Sequence, residues 1–498
     1  MSPAVLFSFV IGYFLLLLAV AWYTSRGSNN QSFFIGDKNS NWMLVAFGMI
    51  GTSLSGVTFV SVPGTVGTNS FAYFQIVLGY FIGYLTIAYV LLPLYYKMNL
   101  TSIYTYLGNR LGVKSYKTGA SFFILSRTLG ATARLYLVIK ILQDIILQDL
   151  GVPFWATTLI ILVMILIYTY EGGVKTIVFT DTLQTTFMLA GLVVCIFYIL
   201  HAMDLGFMDA IKALGDKGGA QGSYSKIFFT DPSDKLFFGK QILAGAFITI
   251  TMTGLDQEMM QKSISVSRLK DSQKNMVSLA FIMAIVIFIF LFLGGLLHLY
   301  GEQQGVTAKG DALFPFIALN HMPGIVSVIF VIALISALFP SADGAITALT
   351  SSFCIDIIGL QRKPHWDEAK RKKVRQRIHL TVAFVFLLFV MVFHWVNDPS
   401  MIDVILKMAA YTYGPLLGLF AFGILTKRQV KDDFTPVVCI AAPIICLLIE
   451  WITPRFVPGF KLGPELLVIN GLLTFFGLLL FSHRTVDREN KLAADGAN

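Results

Sequence analysis

The sequence predicts an all-α polytopic membrane protein, and three observations predict it. The 498 residues are 56% hydrophobic and 13% charged, with mean hydropathy +0.74; a soluble domain carries about 25% charged residues. The apolar runs reach about 20 residues or more, the length of a bilayer-crossing helix rather than of the short alternating segments of a β-barrel. The longest polar stretch, 201–240, is too short and too rich in Gly, Asp and Lys to bury a core of its own.

The apolar runs place thirteen spans at 4–24, 43–62, 71–96, 119–143, 154–170, 176–200, 241–261, 275–299, 324–346, 379–395, 402–425, 435–453 and 464–482. The first lacks a charged leader and a cleavage site, so it is read as a retained helix. The second is interrupted by Gly51-Thr52-Ser53-Leu54-Ser55-Gly56-Val57-Thr58. Glycines and hydroxyls at bilayer depth are expensive, and a broken helix survives there only where it lines a protein cavity. The seventh carries a similar interruption, Thr249, Thr251, Thr253 and Gly254, and then Asp256-Gln257-Glu258. Paired broken helices in two halves of a chain point to a transporter with a repeat and a site between the halves. Each opens a set of five spans, and five is odd, so the second set starts on the opposite side.

The chain has a formal net charge of +9. With the N-terminus outside, the inner loops hold about three times as many Lys and Arg as the outer loops. That orientation puts the C-terminus in the cytoplasm and the basic run 362–377 against anionic lipid, so the partners are a bilayer and a small-molecule solute, with no nucleic acid. Four cysteines lie in or beside apolar spans without CxxC or Cys/His spacing, which indicates neither a disulfide framework nor a metal cluster. No Ser/His/Asp set or P-loop emerges, so an enzyme is not expected. The tail 483–498 reads as polar and disordered. A monomer is sufficient for this plan; the oligomeric state stays open.

Several motifs recur in an order that resembles the sodium/solute symporter family over roughly 4–480: Phe33-Phe34-Ile35-Gly36, Gly51 to Pro63, Leu100-Thr101-Ser102-Ile103-Tyr104, Tyr170-Glu171-Gly172-Gly173, Phe179-Thr180-Asp181, Gly254-Leu255-Asp256-Gln257 and Tyr413-Gly414-Pro415. The resemblance implies the LeuT-type inverted repeat: an extra helix at 4–24, repeats at 43–200 and 241–425, and two extra helices within 435–482. It also implies Na+ as coupling ion in a cell membrane. The family's main sodium site maps onto the carbonyls of Gly51 and Leu54, with Ala337 and Ser341 from the ninth span. Pro340 departs from the pattern, because proline stands where a hydroxyl ligand is expected. That departure keeps open a sodium-independent uniporter or channel, or a proton-coupled carrier.

Asp181 is an acid inside a span and therefore a functional candidate. The matching acid in relatives helps form a second cation site, for which Asp343 is the candidate partner. Arg134 lies mid-span; its fork fits a carboxylate, and an arginine at the matching place holds the carboxylate in a sialic-acid-transporting branch. Ser55, Thr58, Gln75 and Thr249 are further expected solute contacts, with aromatic lids at Phe71, Tyr73 and Phe74. Arg127 is expected to pair with Asp144, Asp181 or Asp343, and Lys407 to turn outward. A tenfold sodium gradient is worth about 1.4 kcal/mol and one charge through 100 mV about 2.3 kcal/mol. One sodium ion carried with a monoanion keeps only the first, so an anion carrier gains from a second cation at Asp181.

Overall fold

The computed structural model describes residues 3–26, 30–38, 40–396, 401–457 and 462–484. The tail expected to be disordered lies, beyond residue 484, outside the described residues. Helices dominate because the apolar runs leave no other way to satisfy backbone groups away from water. Among the described residues, eight helices are long and apolar enough to cross a bilayer, or ten if each of two bent pairs is one span. The expected thirteen is reached only by adding the shorter apolar helices Phe154–Tyr170 and Leu466–Leu480 and the interrupted stretch 238–264.

The helices that position the site are α1 (Pro3–Thr24), α2 (Trp42–Ser53), α3 (Gly56–Asn69), α4 (Tyr73–Lys97), α5 (Val113–Leu142), α6 (Phe154–Tyr170) and α7 (Gly173–Ala202). They continue with α8 (Phe238–Thr249), α9 (Gln257–Ile264), α10 (Leu269–Gln304), α11 (Gly324–Ser352), α12 (Glu368–Val396), α13 (Met401–Thr412), α14 (Gly414–Leu425), α15 (Thr435–Phe456) and α16 (Leu466–Leu480). Helix α6 turns into α7 at Gly173, whose φ of 54° lies in the left-handed region open to glycine.

Both expected interruptions are present. Helix α2 ends at Leu54 (φ −91°, ψ 78°), Ser55 is extended (φ −68°, ψ 171°), and α3 leaves at 56°. Helix α8 widens into a π turn over Ile250–Gly254 and breaks at Leu255 and Asp256, whose carboxylate caps α9 by accepting from the Glu258 and Met259 amides. A third break between α13 and α14, bent by 44° at Tyr413, was not expected; the span at 402–425 read as one helix.

The two predicted broken helices run antiparallel. The start of α2 meets the end of α9, where the Ser40 amide donates to the Ser265 carbonyl at 3.1 Å. The chain that leaves α3 meets the start of α8, where Gln75, in the first turn of α4, donates to the Leu236 carbonyl at 3.0 Å. This is the arrangement an inverted repeat requires. Helix α4 lies against α8 without side chains between them: a Cβ on Gly79 would strike the Ile242 carbonyl, and one on Gly245 the Ile76 carbonyl. Small residues at such a crossing let the backbones touch, which drives packing where lipid removes the hydrophobic incentive.

Candidate functional site: a cavity between three broken helices

A helix end leaves its last four carbonyls without intrahelical donors, and the three breaks treat theirs differently. At the α8–α9 break, Tyr95 donates to the Gly254 carbonyl and Tyr104 to the Leu255 carbonyl, both at 2.8 Å. At the α13–α14 break, the Asn470 amide donates to the carbonyls of Ala410 and Tyr411 at 2.9 Å. At the α2–α3 break, no donor among the described residues meets the carbonyls of Gly51 or Leu54. Free carbonyls in a buried site suit a hard cation, so this break has the character of an ion site.

Helix α11 supplies the other wall. A Cβ on Gly51 would lie 3.6 Å from the Pro340 ring, and one on Gly56 would lie 3.8 Å from the Leu338 Cα. Ala337 and Ser341 are buried there, and the Ser341 hydroxyl donates to the Leu338 carbonyl at 2.8 Å, leaving its lone pairs available. The structure therefore brings the α2–α3 break against the stretch of α11 that carries Ala337 and Ser341. Thr185 of α7 joins them: its hydroxyl stands where a Cβ on Gly51 would go, is buried, and has no hydrogen-bond partner among the described residues. The sequence reading passed over Thr185, because a threonine one turn beyond an aspartate is ordinary helix composition.

Beside this junction a cavity of about 110 Å³ is lined by Ser55, Thr58, Arg134 and Thr249, as expected, together with Thr52, Ser53, Tyr73, Tyr80, Tyr84 and Thr253. Tyr73 and Tyr80 share a hydrogen bond at 3.2 Å. Arg134 is partly exposed to this space, and no carboxylate among the described residues lies within ion-pair distance of it. Gln75 is a correction. Its side chain is fully buried away from the cavity, donating to the Ala72 and Leu236 carbonyls and accepting from the Phe229 amide. It ties the long loop to α4, because an amide with both ends available suits two strands of loop backbone. Phe71 and Phe74 pack edge-on against Phe288 rather than over the cavity; of the expected lids only Tyr73 lines it. Lys407 does turn outward and pairs with Glu450 at 2.8 Å.

Beneath the cavity lies a chain of buried charges. Asp181, in α7, receives Lys262 at 2.7 Å and Thr52 at 3.2 Å. Lys262 also reaches Glu258 at 3.3 Å; Glu258 pairs with Arg127; and Arg127 lies 3.9 Å from Asp256, which accepts from Tyr413 at 2.9 Å. Arg127 thus takes Glu258 and Asp256, not the partners expected. Asp343 accepts from Tyr168 at 2.7 Å and from the Gly344 amide at 2.5 Å. Lys262, one residue past the span placed at 241–261, sits inside the bundle, 2% exposed. The available signal was the Glu258/Lys262 pair at i,i+4 just after a broken helix.

A model of the "SSF: Sodium:solute symporter family" matches residues 33–432. The chain is 24% identical over 462 residues to the sodium/sialic acid symporter SiaT of Proteus mirabilis, covering 89% of this chain and 88% of that one. It is 26% identical over 442 residues to sodium-coupled monocarboxylate transporter 1 of Mus musculus, covering 84% and 69%. Among solved structures, a substrate-bound, outward-open Na+-coupled sialic acid symporter superposes with TM-score 0.80 at 20% identity, over 95% of this chain and 97% of that one. Mhp1, a nucleobase-cation-symport-1 family transporter, in a closed conformation, gives 0.57 at 12% identity, over 91% and 93%. The chain therefore belongs to the sodium:solute symporter family: a multi-pass LeuT-fold transporter that couples Na+ to the symport of an organic solute, and not an enzyme.

Proposed function

We propose that the solute is a small organic anion held by its carboxylate. The observation that carries this is Arg134: a guanidinium facing a polar cavity, while each of its cationic neighbours already has an acid. A guanidinium keeps its charge, so an unpaired one deep in a helix bundle calls for an anion. Thr58, Thr249 and the tyrosines offer hydroxyls for the remainder of the solute. That relatives are a sodium/sialic acid symporter and a sodium-coupled monocarboxylate transporter supports the class.

Sodium, in this reading, binds the carbonyls of Gly51, Leu54 and Ala337 and the hydroxyl of Ser341, with Thr185 in place of the hydroxyl lost at Pro340. The ion then ties the broken α2–α3 pair to α11 and α7 and firms the cavity wall where solute binds, which makes binding of the two mutually favourable. The protein sits in the cell membrane with its N-terminus outside, and the two halves rock to expose the cavity to each face in turn.

The test is uptake into proteoliposomes under an inward sodium gradient, with carboxylates competing against the corresponding amides. Competition by carboxylates alone is expected. Equal competition by the amides would remove Arg134 from solute recognition.

A further inference from the structure

Asp181, the candidate for a second cation site, is occupied by a lysine. The Lys262 ammonium lies 2.7 Å from Asp181 Oδ2, 2.7 Å from Thr52 Oγ1 and 3.3 Å from Glu258 Oε1. An ammonium has three donors, and here three oxygens from α7, α2 and α9 take them. Two carboxylates and a hydroxyl are also a ligand set for a hard cation. Lys262, Glu258, Thr52 and Asp181 are each at most 3% exposed. Helix α11 closes the fourth side with a bare backbone: a Cβ on Gly344 would strike the Glu258 carboxylate and lie 3.2 Å from Lys262 Nζ. Asp343, next in sequence, and Arg127, on the far side of Glu258, complete the charged surroundings.

We propose that Lys262 is a tethered cation that takes the place of a second coupling ion, so that the protein binds a single sodium ion, at the α2–α3 break. The proposal rests on the sodium site described above. A plain structural salt bridge explains the arrangement less well, because a buried ion pair contributes little net stability and needs one acid, whereas this ammonium gathers oxygens from three helices around the very acid expected to bind an ion. Its charge belongs to the chain. It neutralises Asp181 without drawing an ion from solution, and it adds nothing to the sodium gradient that drives the solute.

Binding of sodium-22 to the full-length protein in lipid nanodiscs, with choline replacing sodium, tests this without knowledge of the solute. One ion per chain is expected in the wild type, two in Lys262→Ala, and one again when Lys262→Ala is combined with Asp181→Asn. Lys262→Met, which keeps the bulk of the stem, is the second variant should alanine prevent folding. Two ions bound by the wild type overturn the proposal whatever the variants do. A folded Lys262 variant that binds no more sodium than the wild type also overturns it. A wild type that binds none while Lys262→Ala binds one removes the sodium site at the break and leaves the assignment of Lys262 standing.

Discussion

Arg134 and Thr185 each carry a polar group without a partner among the described residues, and each therefore makes a sharp prediction. Arg134→Ala leaves a bound carboxylate without its counter-charge. Truncating one member of a buried charged pair costs about 2–5 kcal/mol, so affinity for an anionic solute should fall roughly thirtyfold to several-thousandfold, read as the concentration for half-maximal uptake. Arg134→Lys should recover part of the charge term but not the two-pronged geometry. Thr185→Val removes a hydroxyl of similar volume, and the sodium concentration for half-maximal binding should rise about tenfold, on the order of one ligand hydrogen-bond equivalent. Pro340→Ser in the Thr185→Val background should reverse much of that loss. An unchanged sodium response in Thr185→Val would mean that its hydroxyl does not face the ion.

At the scale of the element, the three breaks show that an interrupted helix is not by itself a binding site. Tyr104 caps the Leu255 carbonyl at 2.8 Å at one break, and Asn470 caps Ala410 and Tyr411 at another. At the break after α2, no donor among the described residues meets the carbonyls of Gly51 and Leu54. Tyr104→Phe should strand a buried carbonyl and cost about 1–3 kcal/mol, seen as a lower melting temperature with the sodium-induced stabilisation unchanged. The same measurement on Gly344→Ala should show a larger drop, since a methyl there presses on the Glu258 carboxylate and on the network running to Asp256. A melting temperature equal to wild type in Gly344→Ala would show that α11 can shift away from the charge cluster without loss.

At the scale of the molecule, the antiparallel course of α2–α3 and α8–α9 brings α2 and α9 to the same side, where Lys262, Glu258, Asp181 and Asp343 gather from helices α9, α7 and α11. The oppositely placed long loop is pinned to α4 through Gln75. Labelling of single cysteines with a membrane-impermeant reagent on intact cells reads the orientation: Glu302→Cys, in the exposed last turn of α10, should react, and His365→Cys, ahead of α12, should not. The reverse pattern would invert the topology argued from the loop charges.

The chain order and composition carried the membrane class, most of the helix bounds, both inverted breaks and the residues Ser55, Thr58, Arg134 and Thr249 of the cavity. These were legible because apolar length and helix-breaking glycines act locally, and because an arginine inside an apolar run has few tolerable explanations. The partners of the buried charges were not legible. Lys262 reads as one more basic residue at the edge of a span until the bundle folds Asp181 from 81 positions away onto its ammonium. Gln75 and Thr185 have the same composition whether they face a cavity or a loop. Whether a polar group is satisfied depends on which distant helix arrives beside it, and only the tertiary structure decides that.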